Sequence, residues 1–387
     1  MRRDLVDLEL TAPTVLPDDD LLRVTVRFGE RPIGVLPSSG PGPALEQALA
    51  RYGRRLFAEL AVPAETDPPE LPHVTVVVCT RDRADELAGC LEALRHLQYP
   101  SFDVLVVDNA PRDDRTRATA ERAAVGYTHE PQPGLDRARN RGLVEATGAI
   151  VAFTDDDARP EPGWLKGVVR GLASPEVVAV TGLVLPAELE TDAQLLFEDV
   201  YGGMGKGFDL RLVSGRERPA PLAPEAIGTG CNMAYRRNTL LALGGFDPAL
   251  DVGTPTGGGG DLDAFLRVLE SGGTIAYRPD AVVRHLHRRG DDALRRQIFD
   301  NGRAYSAVLF AAFLRERGRG RVRVVGRYWR WLAAWHARRI ARRLARREQL
   351  PMRFLLAELS GAALGPAVYL RSRHRVERGE SRGGPTA

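Results

Sequence analysis

Continuous apolar runs alternate with amphipathic segments across the middle of this 387-residue chain. The runs 74–79, 102–107 and 149–153 are rich in Val, Ile and Phe, as buried parallel strands are. The segments 85–97 and 135–146 place apolar residues at helical spacing between them. Successive strand and helix units of this kind predict an α/β fold with a doubly wound, mostly parallel sheet.

The pattern changes on both sides of this region. Residues 22–36 alternate apolar and polar positions around a central turn, which predicts a small hairpin, and 44–60 predicts a helix. Four prolines between 63 and 72 indicate a linker. We therefore expect four parts: an N-terminal α+β module with its linker (1–70), a main α/β domain (73–290), an Arg-rich helical region (291–375) and a disordered tail (376–387).

Polar residues follow each predicted strand of the main domain. They are Thr80-Arg81-Asp82-Arg83, Asp108-Asn109 and Asp155-Asp156-Asp157. Because the carboxyl ends of parallel strands meet at one edge of the sheet, these loops are expected to line a common ligand site. The chain has neither a Gly-x-Gly-x-x-Gly turn after the first strand nor a P-loop, so phosphates would be held through a metal ion.

The acidic triplet is the strongest chemical signal in the sequence. Three adjacent carboxylates repel one another unless a cation offsets them, and oxygen ligands suit Mg²⁺ or Mn²⁺. If strand alternation extends through the triplet, Asp155 and Asp157 point to the same side and Asp156 to the other, which predicts an Asp-x-Asp metal clamp. The alternatives are a solvated acidic turn, or capping by Asp157 of a helix that begins near Pro160.

Composition adds expectations about compartment. The chain is 43% hydrophobic, and its three cysteines have neither disulfide nor zinc spacing, so we expect free thiols in a reducing cytosol. Acidic residues from Asp4 onward argue against a signal peptide. The most apolar long segment, 352–370, is interrupted by charges, glycines and Pro366, so no membrane-spanning helix is expected.

Taken in order, the motifs of the main domain resemble those of family 2 glycosyltransferases, which have the GT-A nucleotide-sugar fold, related to the Rossmann fold. The matching segments are 76–83, 106–109, 134–142, 153–157 with Pro160, 232–237, 244–247 and 260–263. The resemblance covers about residues 73–290 and implies that this part is the catalytic domain. It implies inverting transfer of a sugar from a nucleotide-diphosphate sugar to the hydroxyl of a glycan, lipid-linked or natural-product acceptor, as in cell-envelope or polysaccharide biosynthesis.

The same resemblance implies roles for individual residues. Contacts with the nucleotide sugar would come from Thr80, Arg81, Asp108, Arg139, Asp155 and Asp156. Asp155 and Asp157 would hold Mn²⁺ or Mg²⁺ on the diphosphate, with His285 as a further ligand. Two positions depart from the family pattern: Gly260 stands where Glu is common, and Asp82 where Asn is common.

An inverting transfer needs a base that takes the proton of the acceptor hydroxyl. Asp261 is the candidate catalytic base, although Asp263 lies in the same first helical turn and either residue could simply cap the helix. The positive end of the helix would lower the basicity of Asp261, so burial beside the acceptor would have to compensate. Two other interpretations compete with metal binding by His285: His285 has a structural role, or His287 binds the metal instead.

Two other functions stay open from the sequence. A nucleotidyltransferase would share the nucleotide-binding sheet and the metal, but it would carry a Gly-rich basic loop where Thr80 to Arg83 has no glycine. A non-catalytic protein that binds sugar nucleotides is compatible with Gly260, since the common Glu is missing there.

The C-terminal region suggests a membrane-facing surface. Residues 315–347 contain thirteen Arg and one acid, and the predicted helix after Trp331 segregates Arg338, Arg339, Arg342, Arg343 and Arg346 from its apolar side. A basic amphipathic helix preceded by aromatics suits the anionic inner face of a membrane, where lipid-linked acceptors occur. An ordinary helix packed on the main domain is the alternative. No nucleic-acid-binding module accompanies the charge, so nucleic acid is not an expected partner.

Overall fold

The computed structural model describes residues 3–9, 22–29, 31–38, 51, 71–216, 223–337, 339, 341 and 350–378. A nine-stranded sheet forms the centre of this part of the chain, and a separate three-stranded sheet is formed by the N-terminal strands. The predicted α/β class with a mostly parallel sheet is confirmed.

The strands of the large sheet follow a doubly wound order. From one edge to the other they are β10 (Arg211–Ser214), β12 (Thr274–His285), β9 (Val177–Pro186), β11 (Met233–Arg236), β7 (Ile150–Asp155), β4 (Val74–Thr80), β5 (Phe102–Asn109) and β6 (Gly126–Glu130), with β8 (Ala158–Pro160) paired to β12. β4 pairs in parallel with both β5 and β7, whereas β11 is antiparallel to both its neighbours. The carboxyl ends of β4, β5 and β7 therefore meet at one edge.

Helices cover both faces of this sheet. The helices of the main domain are α1 (Ala84–Arg95), α2 (Arg115–Arg122), α3 (Leu135–Glu145), α4 (Trp164–Gly171), α5 (Asp192–Leu195), α6 (Arg237–Ala242) and α7 (Gly260–Glu270). One apolar cluster packs α1 and α4 against the sheet, and a second packs α3 and α7 against the opposite face. This arrangement brings the first turns of α3 and α7 to the edge where the strands end.

The N-terminal strands β1 (Asp4–Glu9), β2 (Leu22–Phe28) and β3 (Arg31–Ser38) form the small sheet. β2 and β3 pair antiparallel, as the predicted hairpin requires, and β1 pairs in parallel with β2. Ion pairs attach this sheet to the main domain, including Arg27 with Glu161 at 2.8 Å and Arg284 with Asp7 at 2.9 Å. The helix predicted at 44–60 falls, but for Arg51, outside the described residues.

The polar, glycine-containing segment 185–224 predicts a mobile flap, but its described residues form regular structure. It contains α5, a π-helical turn (Leu196–Tyr201) and β10, and β10 is hydrogen bonded to the edge of the large sheet. The expectation of a flap is wrong for these elements, because the short apolar stretch Leu212–Val213 finds a strand partner in β12 that the local sequence does not reveal. Residues 217–222 lie outside the described part.

The described residues of the C-terminal region form α8 (Asp291–Arg315), α9 (Arg319–Trp331), a π-helical turn (Leu332–Ala337) and α10 (Met352–Glu377). α10 packs along α8. Arg339 is buried and donates a hydrogen bond to the backbone oxygen of Tyr201 at 3.1 Å. The prediction that Arg339 lies on an exposed basic face is therefore wrong. The other arginines of that predicted face, Arg338, Arg342, Arg343 and Arg346, lie outside the described residues.

Within the described ranges, no helix is both long enough and apolar enough to cross a membrane. All three cysteines are buried free thiols, as predicted.

Asn232 ties three parts of the main domain together from the start of β11. Its amide oxygen accepts a hydrogen bond from the indole of Trp164 at 2.8 Å, and its amide nitrogen donates to the carbonyls of Leu183 and Ala281 at 3.0 and 2.9 Å. Gly182 leaves the space for this contact, since a Cβ there would lie 2.6 Å from the Asn232 nitrogen. The carboxamide thus satisfies buried polar groups of β9, β12 and α4 together.

We predict that Asn232→Ala destabilises the protein by at least about 3 kcal/mol, because it leaves a buried indole N–H and two carbonyls without partners. Urea unfolding followed by circular dichroism measures this free energy. Asn238→Ala, at an exposed position of α6, is the matched control and should change stability by less than about 0.5 kcal/mol. Equal effects of the two substitutions would contradict the role given to Asn232.

Candidate active site

A cavity of about 540 Å³ lies at the carboxyl edge of the large sheet, and three of the predicted site residues line it. Its lining includes Arg139 of α3, Asp155 at the end of β7 and Asp261 in the first turn of α7. Gly257, Gly258 and Gly259, all with positive φ, form the wall that leads into α7. Three separate elements therefore present charged groups to one enclosed space.

The three carboxylates of the acidic triplet have different surroundings. β7 ends at Asp155, and Asp156 and Asp157 form a turn before β8, so strand alternation does not extend through the triplet. Asp155 faces the cavity, while Asp156 and Asp157 are both bound by Arg83, at 2.7 and 2.9 Å. Asp156 also accepts a hydrogen bond from the Thr80 hydroxyl at 2.7 Å. Arg83 therefore binds Asp156 and Asp157 together, while Asp157 also contacts His285, which lies close to Asp155.

His285, at the end of β12, completes this cluster. Its Nε2 lies 3.0 Å from Oδ1 of Asp157, and its buried Nδ1 has no hydrogen-bond partner among the described residues. Ligand atoms of Asp155, His285 and Cys231 all lie within 4.8 Å of one another. A carboxylate and an imidazole with a free nitrogen suit a divalent metal such as Mn²⁺, so these residues fit the predicted ion. Asp157 is placed to orient the ring of His285.

Burial and charge shift the pKa values of this cluster in opposite directions. Burial raises the pKa of Asp156 to about 7, against the opposing effect of Arg83. Burial also favours a high pKa for Asp157, but His285 and Arg83 together hold it below its ordinary value. Although burial disfavours a charged imidazole, Asp157 raises the pKa of His285. Burial raises the pKa of the Cys231 thiol, which leaves Asp155 and His285 as the stronger ligand candidates.

Arg139 is the buried cation of the site. Its guanidinium lies 3.1 Å from Asp136 and 3.6 Å from Asp155, and it stacks over the ring of Phe246 at 5.6 Å. Burial disfavours its charge, yet Asp136 and Asp155 hold its pKa above the ordinary value. Arg139 is thus placed beside Asp155, where the resemblance puts the nucleotide sugar.

The predicted nucleotide contacts lie at the ends of β4 and β5. Asp108 is fully buried and accepts a hydrogen bond from the Tyr127 hydroxyl at 3.0 Å, and its Oδ1 has no partner among the described residues. Burial raises its pKa. The Nε of Arg81 lies 4.0 Å from Asp82, and about a third of the Arg81 side chain is exposed. Asp108 therefore has an open acceptor, and Arg81 stands at the margin of the site.

The two acids in the first turn of α7, Asp261 and Asp263, have different surroundings. Asp261 lines the cavity, and a Cβ placed on Gly230 would lie 3.1 Å from its Oδ2 and 2.6 Å from Nη2 of Arg139. Asp263 is 1% exposed and is engaged by Arg267 and Arg315, each at 2.7 Å. Only Asp261 of this pair is available to a ligand in the cavity.

Several residues around the cavity were not predicted as site residues. Asp136 is buried against Arg139 and Gly260, Arg83 binds two acids of the triplet, and burial lowers the pKa of Lys206, which lines the cavity. The signals were present but weak. Asp136 could have been noticed as an acid in the motif from Gly134 to Gly142. Lys206 could have been noticed as one of only two lysines in the chain.

The C-terminal helices close the far side of the cavity. Asp300 of α8, Trp331 of α9 and Glu358 of α10 contribute to its lining. Tyr305 packs against Trp331 with ring centroids 4.7 Å apart, and Tyr201 donates a hydrogen bond to Glu358 at 2.8 Å. The region after residue 290 therefore forms part of the site.

Sequence and structure comparisons identify similar proteins. Residues 75–243 match the family described as "Glycosyl transferase family 2". The chain is 28% identical over 269 residues to the pre-mycofactocin glycosyltransferase of Mycobacterium tuberculosis, a match that covers 67% of this chain and 53% of that protein. It is 25% identical over 237 residues to the glycosyltransferase AglE of Haloferax volcanii, covering 59% and 71%. The chain thus spans about half the length of the mycobacterial relative.

Among solved structures, a mannosyltransferase of Pyrobaculum calidifontis, PcManGT, in complex with GDP-Man and Mn²⁺, is similar with a TM-score of 0.52 and 20% sequence identity. The alignment covers 83% of this chain and 97% of that one. This similarity shows that the described chain has the GT-A fold.

We predict that His285→Ala weakens Mn²⁺ binding by roughly tenfold or more, because it removes a nitrogen ligand beside Asp155. Electron paramagnetic resonance of free Mn²⁺ in a protein titration measures this affinity without any substrate. His287→Ala is the matched control, since His287 is also buried and also pairs with an acid, Glu198 at 3.1 Å, but lies outside the group formed by Asp155, Cys231 and His285. Unchanged affinity in His285→Ala, or the same loss in both variants, would exclude His285 as a ligand.

Proposed function

We propose that this chain, whose residues 75–243 match glycosyl transferase family 2, transfers a sugar from a nucleotide-diphosphate sugar to an acceptor hydroxyl with inversion, aided by Mn²⁺ or Mg²⁺. One observation carries this proposal. Asp155 and His285, the candidate metal ligands, lie together beside the cavity. The same cavity is lined by Asp261, which is the acid of its helical turn that has no arginine bound to it among the described residues.

The nucleotide of the donor is assigned to the ends of β4 and β5. The buried Oδ1 of Asp108 has no hydrogen-bond partner within the described ranges, and a buried acceptor of this kind costs free energy unless a ligand satisfies it. A base or ribose N–H or O–H group would supply that hydrogen bond. Thr80, at the end of β4, lies beside Asp156 and would border the same nucleotide.

The diphosphate is assigned to the region of Asp155, His285 and Arg139. Asp155 and His285 would hold the divalent ion, which when bound offsets the negative charge of the leaving diphosphate. Arg139, 3.6 Å from Asp155, supplies a fixed positive charge to the same region. Asp157 keeps the imidazole of His285 oriented.

Asp261 is assigned the role of general base. The acceptor hydroxyl would bind in the cavity and transfer its proton to the Asp261 carboxylate as its oxygen attacks the anomeric carbon. Because the base and the leaving group act on opposite sides of the sugar, no covalent enzyme intermediate is required. Asp263 is unsuited to this role, since Arg267 and Arg315 already bind its carboxylate.

The acceptor is assigned to the part of the cavity lined by the C-terminal helices. Aromatic and polar groups occur together there, with Trp331 and Tyr305 near Asp300 and Glu358. Such a lining suits a hydroxylated acceptor, whether a glycan, a lipid-linked sugar or a natural product. A lipid-linked acceptor would bring the enzyme to the inner face of a membrane.

We predict that a nucleoside diphosphate and its sugars raise the thermal unfolding midpoint only when Mn²⁺ is present, because an ion held by Asp155 and His285 would offset the charge of the diphosphate. A ligand at one hundred times its Kd stabilises the folded state by about 2.7 kcal/mol. Differential scanning fluorimetry with uridine, guanosine and deoxythymidine diphosphates measures the shift. The absence of a shift with all of them, with and without Mn²⁺, would contradict the proposed donor class.

We predict that Asp261→Asn lowers kcat by roughly 10² to 10⁴-fold, because the amide cannot accept the hydroxyl proton. Donor affinity should stay within about twofold, since the substitution keeps the shape of the side chain. Nucleoside diphosphate release measures kcat, and calorimetry measures donor binding.

The matched control for this prediction is Asp263→Asn in the same helical turn. It should lower stability, because it weakens two ion pairs, and leave kcat nearly unchanged when assayed well below the unfolding temperature. Equal turnover by wild type and Asp261→Asn would remove Asp261 from the mechanism.

A further inference from the structure

Asp136 is a buried acid next to the proposed catalytic base that the mechanism above does not use. It lies in the first turn of α3, and its residue is 1% exposed. Oδ1 accepts a hydrogen bond from Arg139 at 3.1 Å, whereas the buried Oδ2 has no hydrogen-bond partner in the described part of the chain. An unpaired buried carboxylate oxygen is costly and calls for an explanation.

The Asp136 carboxylate occupies the space of a side chain at position 260. A Cβ built on Gly260 would lie 1.7 Å from Oδ2 and 2.4 Å from Cγ of Asp136. No other residue fits at 260 while Asp136 keeps this position. Gly260 is the first residue of α7, and Asp261 follows it directly. The acid from α3 therefore stands against the turn that carries Asp261.

The surroundings of Asp136 concentrate negative charge around one cation. Asp251, also 1% exposed, accepts a hydrogen bond from the backbone of Arg137 at 3.4 Å, and Asp155 and Asp261 approach Arg139 from β7 and α7. Burial, and then the nearby Asp251, raise the pKa of Asp136 well above its ordinary value. Arg139 and the positive end of α7 are the groups that favour its charged form.

We propose that Asp136 is a positioning residue of the transfer reaction: it fixes Arg139 and the first turn of α7, so that Asp261 is aimed at the acceptor hydroxyl. The carboxylate that a glutamate at position 260 would bring to this turn comes instead from α3. The inference rests on the proposed function, because it assigns a role within that reaction.

A purely structural ion pair is the competing explanation, and Asp263 shows what such a pair looks like here. Asp263 lies in the first turn of α7 beside Asp261 and is as buried as Asp136. Each of its carboxylate oxygens accepts a hydrogen bond from an arginine at 2.7 Å. Asp136 instead keeps one oxygen unpaired and lines the cavity. The two acids therefore make a matched pair for mutation.

The first experiment compares Asp136→Asn with Asp263→Asn. Release of nucleoside diphosphate is measured with UDP-glucose, GDP-mannose and dTDP-glucose as donors in Mn²⁺, with water and methyl glycosides as acceptors. Displacement of a catalytic group by about 1 Å costs up to roughly 10²-fold in rate. We expect Asp136→Asn to lower kcat by about 10 to 100-fold, to change the donor KM by less than about twofold, and to shift the pH profile of kcat.

Asp263→Asn should lower the unfolding temperature but keep kcat and its pH profile. If Asp136→Asn also changes only the unfolding temperature, Asp136 is a structural residue and the inference is overturned.

The second experiment moves the acid from one helix to the other. Gly260→Glu alone should be inactive, because the new side chain meets the Asp136 carboxylate, and Asp136→Ala alone should lose activity as Asp136→Asn does. The double variant Asp136→Ala with Gly260→Glu opens the space and restores a carboxylate to the first turn of α7. We expect the kcat of the double variant to exceed that of Asp136→Ala by at least about tenfold. Substitutions at independent sites would not compensate for each other in this way.

The outcomes separate the inference from the proposed function. A wild type that turns over none of the three donors overturns the proposed function and this inference with it. An active wild type whose double variant is no better than Asp136→Ala overturns the inference alone, while the Asp261 assignment stands on its own test.

Discussion

The site depends on one buried guanidinium that holds acids from different elements close together. Arg139 is 5% exposed, and it lies 3.1 Å from Asp136 of α3 and 3.6 Å from Asp155 of β7, while Asp261 of α7 approaches it across Gly230. Burying several carboxylates without a cation is strongly unfavourable, because their charges are neither solvated nor paired. The ring of Phe246 covers the guanidinium and helps to fix its plane. The first turns of α3 and α7 and the end of β7 are thus held in one arrangement before any ligand binds.

The remaining acids are organised by different partners, so that one short acidic run has three separate roles. Asp156 is fixed by Thr80 and Arg83, Asp157 holds His285, and Asp155 alone is left beside the cavity. The opposite pKa shifts of Asp156 and Asp157 follow from this division, since burial dominates for the first and paired cations for the second. A cluster that looks uniform in sequence therefore presents one accessible carboxylate and one oriented imidazole. A carboxylate and an imidazole are ligands that suit a divalent ion such as Mn²⁺.

The sequence was sufficient for the features that depend on local pattern. Hydrophobic periodicity and motif order place Thr80, Asp108 and Asp155 at strand ends and Asp261 in the first turn of a helix. They also place His285 at the end of the last strand. The features that depend on contacts between distant segments were not predictable in this way. Whether Asp155 and Asp157 share a side depends on where β7 ends, and the pairing of Asp136 with Gly260 joins residues 124 positions apart that show no common pattern. The contribution of α8, α9 and α10 to the cavity lining also depends on contacts between distant segments, so it was not predictable from local pattern.

The anomalous difference density of a crystal soaked with Mn²⁺ and a nucleoside diphosphate would show directly whether Asp155 and His285 bind a divalent ion at the edge of the sheet, beside Arg139. We predict a single strong peak at the Asp155 carboxylate and the His285 ring, with the diphosphate next to it. Manganese bound elsewhere, with Asp155 in contact only with Arg139 and no diphosphate at the ends of β4 and β7, would contradict it.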